Sequence, residues 1–198
     1  MTGDAPVDRK AAPARRRRQP LKATPEGLER SALHYLARYD SSSGHLRRLL
    51  RRKVALSARV HGTDPEAGRA AVERLIARLT GVGLLDDARF ACERVRSLLA
   101  RGSSAAMIRA RLRGKSLPAE LIDAALAGQT ADPAERELRA ALRYARRRRL
   151  GPFRLADRAE RRERDLAALG RQGFDYETAR RVVDSDDPAA LEAELGPE

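Results

Sequence analysis

The sequence has one cysteine, no tryptophan, three histidines and four lysines, and each scarcity closes off a class of protein. A lone thiol, Cys92, cannot form an internal disulfide, so the fold is not a disulfide-stapled scaffold. His34, His45 and His61 fall in separate segments, without the paired spacing of a metal site. Aromatic residues are only 4% of the chain, so the core must come from Leu, Ala, Val and Ile, which suits helix packed on helix. No run of about 18 apolar residues exists to span a bilayer, and the N-terminus lacks the apolar stretch of a signal peptide. The expected location is the cytoplasm, with no membrane contact.

No segment alternates apolar and polar residues with a period of two, so no strands are expected. Without a strand-to-helix phosphate loop, Gly81-Val82-Gly83 reads as a helix end. Asp86-Asp87 reads as a helix cap with a first-turn acid rather than an acid/base pair. Cys92 lies beside a core face, where a small apolar side chain belongs. No catalytic, cofactor-binding or metal-ligating residues emerge, and neither a cofactor nor a small-molecule substrate is expected.

Positive charge is abundant. The formal net charge is +13, and only Lys10, Lys22, Lys53 and Lys115 among the 41 basic residues are lysine, so 37 are arginine. A GC-rich coding sequence would account for arginine over lysine, but not for the net excess of cations. Such a field selects nucleic acid or an acidic protein surface as partner.

Residues 1–23 hold Pro6, Pro13, Pro20 and the run Arg15-Arg16-Arg17-Arg18, and are expected to be a disordered basic arm, a phosphate-tracking segment or a solubilising tail. Order begins at Thr24-Pro25-Glu26, a capping hydroxyl followed by proline and an acid. The same punctuation recurs at Asp64-Pro65-Glu66 and Asp132-Pro133, with apolar residues at helical spacing after each. Leu28, Ala32, Leu33, Leu36 and Tyr39 mark the first helix, and Leu46, Leu49 and Leu50 mark the second. Glu160 to Asp165 contains no apolar residue, so that helix is expected to project partly into solvent.

Short helices in sets of three suggest a repeat. Ser41-Ser42 matches Ser103-Ser104, and at that offset Leu46 falls on Ile108, Leu50 on Leu112 and Lys53 on Lys115. A second register places Leu112 on Leu169, Leu117 on Phe174 and Leu126 on Val183. The fold is therefore expected to be all-α, with three tandem three-helix repeats at 24–84, 85–131 and 132–186 and a C-terminal tail at 187–198. Units this small complete their cores by stacking, which gives an elongated array.

The ordered motifs resemble the RecX family. They run from Ala32-Leu33-x-Tyr35-Leu36-x-Arg38-Tyr39-Asp40-x-Ser42 through Leu84-Leu85-Asp86-Asp87-Ala88-Arg89-Phe90-Ala91 and Arg101-Gly102 to Ile108-x-x-x-Leu112. Leu121-Ile122-x-x-Ala125-Leu126, Arg146 to Phe153 and Gly173-Phe174 follow, so the likeness spans about residues 26–185. The resemblance implies a curved array in the groove of the RecA–DNA filament. It also implies inhibition of RecA's ATP hydrolysis, strand exchange and co-protease activity, within recombination and the SOS response. The family commonly has Lys-Gly before a repeat's last helix, whereas Lys115 precedes Ser116 and Lys53 precedes Val54 here, so altered turns are expected at Ser116 and Val54. Candidate RecA or DNA contacts are Arg47, Arg48, Arg51, Arg52, Arg109, Arg113, Lys115, Arg146, Arg147, Arg148 and Arg149 on a monomer, with DNA as auxiliary partner. The alternative is a helix-turn-helix-like nucleic-acid binder acting without RecA.

Overall fold

The computed structural model describes residues 20–129 and 132–196, and all regular structure among them is helical. The helices are α1 (Pro25–Leu36), α2 (Ser43–His61), α3 (Pro65–Gly81), α4 (Asp87–Ala100), α5 (Ala105–Arg113), α6 (Ala119–Ala127), α7 (Pro133–Arg148), α8 (Arg158–Arg171), α9 (Tyr176–Val183) and α10 (Pro188–Glu194). A single 3-10 turn, Gly151–Phe153, lies between α7 and α8. The caps read from sequence are formed: Thr24, Ser42, Asp64, Asp86, Ser104 and Asp132 each accept a backbone N–H from the first turn of the following helix. Each cap satisfies one of the donors that a helix start leaves without an intrahelical partner.

Two apolar clusters form the interior. One is confined to α1–α3, around Leu28, Leu46, Leu50, Val72 and Ile76, and takes Leu85 from the segment that follows. The other runs unbroken through α4–α10, from Phe90 and Val95 to Leu169, Val182 and Leu191. The second and third helical triplets thus share one interior, while the first closes on itself. Residues 187–198, read from sequence as a tail, include α10, whose Leu191 reaches the larger cluster.

Three expectations change. The turn at Val54 is absent: α2 continues for 19 residues because nothing from Lys53 to His61 breaks a helix, and it stops at Gly62 with φ +65°. Val54 is buried against Gly68 instead. The arm of residues 1–23 lies mostly outside the described residues, but Pro20–Ala23 are held on α2. Ala23 N–H donates to buried Ser57 Oγ at 2.9 Å, and His61 Nε2 lies 2.6 Å from the Pro20 carbonyl. Third, Leu33 and Tyr39 are 42% and 57% exposed: Leu33 faces away from the Leu28–Ala32 side that α2 and α3 cover, and Tyr39 lies beyond the end of α1 at Leu36.

The triplets are joined by one hydrogen-bond scheme used twice. Ser42, capping α2, donates its hydroxyl to the Lys115 carbonyl, and Ser104, capping α5, does the same to the Gln172 carbonyl. The next free donor is taken by a carboxylate from the first helix of the following triplet. Asp87 accepts from Ser43 N–H at 2.7 Å, and Glu137 accepts from Ala105 N–H at 2.8 Å. Asp87 also takes the Ser43 hydroxyl at 2.6 Å. Burial pushes the Glu137 carboxyl upward, partly offset by that Ala105 N–H.

The two junctions divide their side-chain atoms differently. At the first, Gly44 has no Cβ and Ser116 has one; a Cβ on residue 44 would lie 2.5 Å from the Ser116 carbonyl oxygen and 2.7 Å from its Cβ. At the second, Ala106 carries the Cβ and Gly173 lacks it; a Cβ there would lie 3.1 Å from that of Ala106. Both Ser116 (φ +59°) and Gly173 (φ +84°) are left-handed, so the missing glycine at 116 preserves the turn with a strained serine, and Gly44 makes room for it. Ser116→Gly is therefore expected to raise stability by about 0.5–1 kcal/mol in urea titration, since relief of the left-handed strain outweighs one exposed hydrogen bond. Loss of stability would show that the hydrogen bond donated by Arg48 Nη1 to Ser116 Oγ dominates.

Candidate functional site

Nine of the eleven candidate cations gather at two places, the outer side of α2 with the α5–α6 turn and the end of α7. On α2 the four arginines are not equivalent. Arg47 Nε and Arg51 Nη2 share Glu73 of α3, at 2.9 and 2.8 Å, so one carboxylate offsets two charges. Arg48 crosses to the second triplet, donating to Ser116 Oγ at 2.9 Å and to the Gly114 carbonyl at 2.8 Å. Arg52 is exposed and makes no hydrogen bond or ion pair among the described residues.

His45 reports the field at this junction. Burial, then the charges of Lys115, Arg48 and Arg52, hold its pKa below the ordinary imidazole value. Its Nδ1 lies 3.0 Å from Arg48 Nη2, a contact that a neutral ring accepts. Arg48, Arg52 and Lys115 thus form one cationic patch across the first junction. Arg113, exposed and without a side-chain polar partner among the described residues, adjoins it, one residue before Gly114. Arg109 does not add a free charge, because its Nε is paired with Asp123 at 2.7 Å.

At the end of α7, Arg146 is paired with Glu192 of α10 at 2.6 Å and lies over the Phe153 ring. Arg147 lies over Tyr144, with 5.8 Å to the ring centroid. Arg149 has φ +53° and ends the helix. Only Arg148 turns to a cleft, whose opposite wall is α8.

Sequence reasoning passed over that wall. Arg161, Arg164, Ala168 and Arg171 all line the cleft, and their spacing of three, four and three residues is one stripe of a helix. The stripe is readable in the sequence, but a stretch without apolar residues from Glu160 to Asp165 reads there only as solvated surface. The first turns of α8 are indeed exposed, yet Asp165 in the segment is just 1% exposed at its side chain. It accepts Arg154 Nε and Nη2 at 2.7 and 2.6 Å and Gly151 N–H at 2.8 Å. Burial alone would raise its pKa, but the Arg154 and Gly151 hydrogen bonds, with the Arg154 and Arg164 charges, hold it below the ordinary value.

Because that pKa is depressed on folding, Asp165 contributes stability above the ordinary carboxylate range and loses it as pH falls through the lowered value. Asp165→Asn is expected to cost about 2–3 kcal/mol at neutral pH. The gap between wild type and variant should stay constant down to about pH 5 and narrow below about pH 4. A gap that is flat throughout acid denaturation would mean that the carboxylate charge contributes nothing.

Among the described residues no cluster of His, Cys, Asp and Glu is able to hold a metal ion, and no helix is long and apolar enough to cross a membrane. Cys92 is half-buried against the larger apolar cluster.

A profile of the second three-helix domain of RecX matches residues 86–126, which hold α4–α6. The regulatory protein RecX of Myxococcus xanthus (strain DK1622) is 42% identical over 171 residues, 85% of this chain and 90% of that protein. The regulatory protein RecX of Stenotrophomonas maltophilia (strain R551-3) is 38% identical over 183 residues, 91% of this chain and 99% of that one. A solved crystal structure of a regulatory protein RecX superposes with a TM-score of 0.57 at 23% identity, over 81% of this chain and 74% of that chain, a likeness of fold. With relatives this similar over nearly their full lengths, the chain belongs to the RecX family of regulatory proteins.

Proposed function

We propose that this protein binds the RecA recombinase on its DNA filament and lowers RecA's ATP hydrolysis, strand exchange and co-protease activity, so modulating recombination and the SOS response. The observation that carries this reading is the near-full-length kinship with RecX proteins. The cationic patch of Arg48, Arg52 and Lys115, with adjoining Arg113, supports it, because it spans a junction and offers a stacked array a charged contact that one triplet alone lacks. In this reading the protein is a cytoplasmic monomer that acts by docking, with DNA an auxiliary contact.

RecA's ATPase on single-stranded DNA, titrated with the full chain, tests this. The rate is expected to fall at substoichiometric or modest doses; an unchanged rate and unchanged strand exchange over a wide titration rule the proposal out. A second reading, a helix-turn-helix-like binder acting without RecA, draws on α5 and α6, two nine-residue helices joined by a tight turn. It predicts a preferred DNA sequence in the absence of RecA, which the first reading does not.

A further inference from the structure

The cleft between α7 and α8 is walled by five arginines, of which only Arg154 is paired within the described fold. It has a volume of about 650 Å³, and Arg148, Arg154, Arg161, Arg164 and Arg171 line it, with Tyr144 at its base. Asp165 is the one carboxylate there, and it is consumed by Arg154. Among the described residues Arg148, Arg161, Arg164 and Arg171 have no side-chain hydrogen bond or ion pair. Four guanidinium groups left facing one concavity repel one another, a cost that a neutralising ligand removes.

We infer that this cleft is a binding site for the phosphodiester backbone of a nucleic-acid strand. Several features select that ligand. The arginine stripe on α8 repeats along the helix axis, and a strand presents a regular row of single negative charges, one per nucleotide. A guanidinium fork matches phosphate oxygens two at a time. The wall is also built rather than incidental, because buried Asp165 fixes Arg154 through two hydrogen bonds and ties it to the Gly151 turn. Tyr144 is nearly buried and capped by Arg147, so the cleft offers no open ring for a base to stack on. Recognition is therefore of the backbone, independent of base sequence. This site is separate from the patch at the first junction, and its occupancy does not depend on RecA.

The test is fluorescence anisotropy of a labelled oligothymidylate with the full chain and no recombinase present. R161A/R164A/R171A is expected to weaken binding by roughly tenfold or more, and to lower the slope of log affinity against log salt by about 2. R94A/R96A/R101A removes the same charge from exposed positions of the second triplet and is expected to change affinity by no more than about twofold. Alanine suits exposed helix positions, and circular dichroism checks that both variants keep their helix content. Should the alanine variant lose helix, R161Q/R164Q/R171Q replaces it with the same expected result. Equal losses in the cleft and control variants would make binding a diffuse effect of net charge and overturn the site, as would an unchanged cleft variant. Competition separates the ligand classes: tripolyphosphate should displace the oligonucleotide from wild type well before polyglutamate. Displacement by polyglutamate at the same charge concentration would make the cleft a site for acidic protein and overturn the assignment.

Discussion

Gly102→Ala is expected to destabilise the protein severely, whereas Gly62→Ala costs it little. Both glycines end a helix with nearly the same left-handed backbone, φ +71° and φ +65°. Forcing an alanine into that conformation costs about 1–2 kcal/mol at either site. The surroundings then separate them. A Cβ on Gly62 meets nothing within 4 Å, while one on Gly102 would lie 2.5 Å from the Tyr144 amide nitrogen and 2.8 Å from the Ala140 carbonyl oxygen. Those are backbone atoms of α7, which cannot swing aside as a side chain can, so α4 and α7 would have to part within the shared interior. The added cost is expected to bring the total to roughly 4 kcal/mol or more, a large share of a small protein's stability. Urea unfolding followed by circular dichroism measures both variants. Similar midpoints for the two would show that the approach of Gly102 to α7 carries no energetic weight.

The second large effect concerns RecA. Arg52→Glu, Arg113→Glu and Lys115→Glu together are expected to raise the concentration needed for half-inhibition of the RecA ATPase by roughly tenfold or more, with helix content unchanged. Reversing Arg47 and Arg51 instead is expected to have a smaller effect on inhibition and a larger one on stability, because both already face Glu73 and reversal sets three carboxylates together. A greater loss of inhibition from the Arg47/Arg51 pair would move the contact to the α2–α3 side. The contrast is sharper than the sequence allowed, since all four α2 arginines look alike in a helical projection and only the placement of Glu73 and Ser116 distinguishes them.

That example shows where sequence reading succeeds and stops. Helix starts were legible because a cap is local: Thr24, Asp64 and Asp132 announce themselves through the proline or acid beside them. Tandem triplets were legible through two offsets, and the junction serines fall on the first of them. The length of α2 was not, since matching Lys53 with Lys115 implied a turn that only Ser116 makes. Nor was the second role of Asp87, which as an acid at a helix start looks complete without Ser43. The α8 arginine stripe lay open in the sequence, but its meaning depended on α7 standing opposite and on Asp165 turning inward. Charge spacing records a face; the opposing wall comes from tertiary contact.

The division of Cβ atoms at the two junctions also constrains how such a chain changes over generations. A Cβ on residue 44 would meet the carbonyl oxygen of residue 116 at 2.5 Å as well as the Ser116 Cβ at 2.7 Å. That carbonyl is there whatever residue occupies 116, so no exchange at 116 opens position 44 to a side chain. A Cβ on residue 173 would first meet side-chain atoms, Ser104 Oγ at 2.9 Å and Ala106 Cβ at 3.1 Å. The fold thus makes mutational tolerance lopsided: across generations position 116 is free to pass between serine and glycine, while residue 44 opposite it stays fixed.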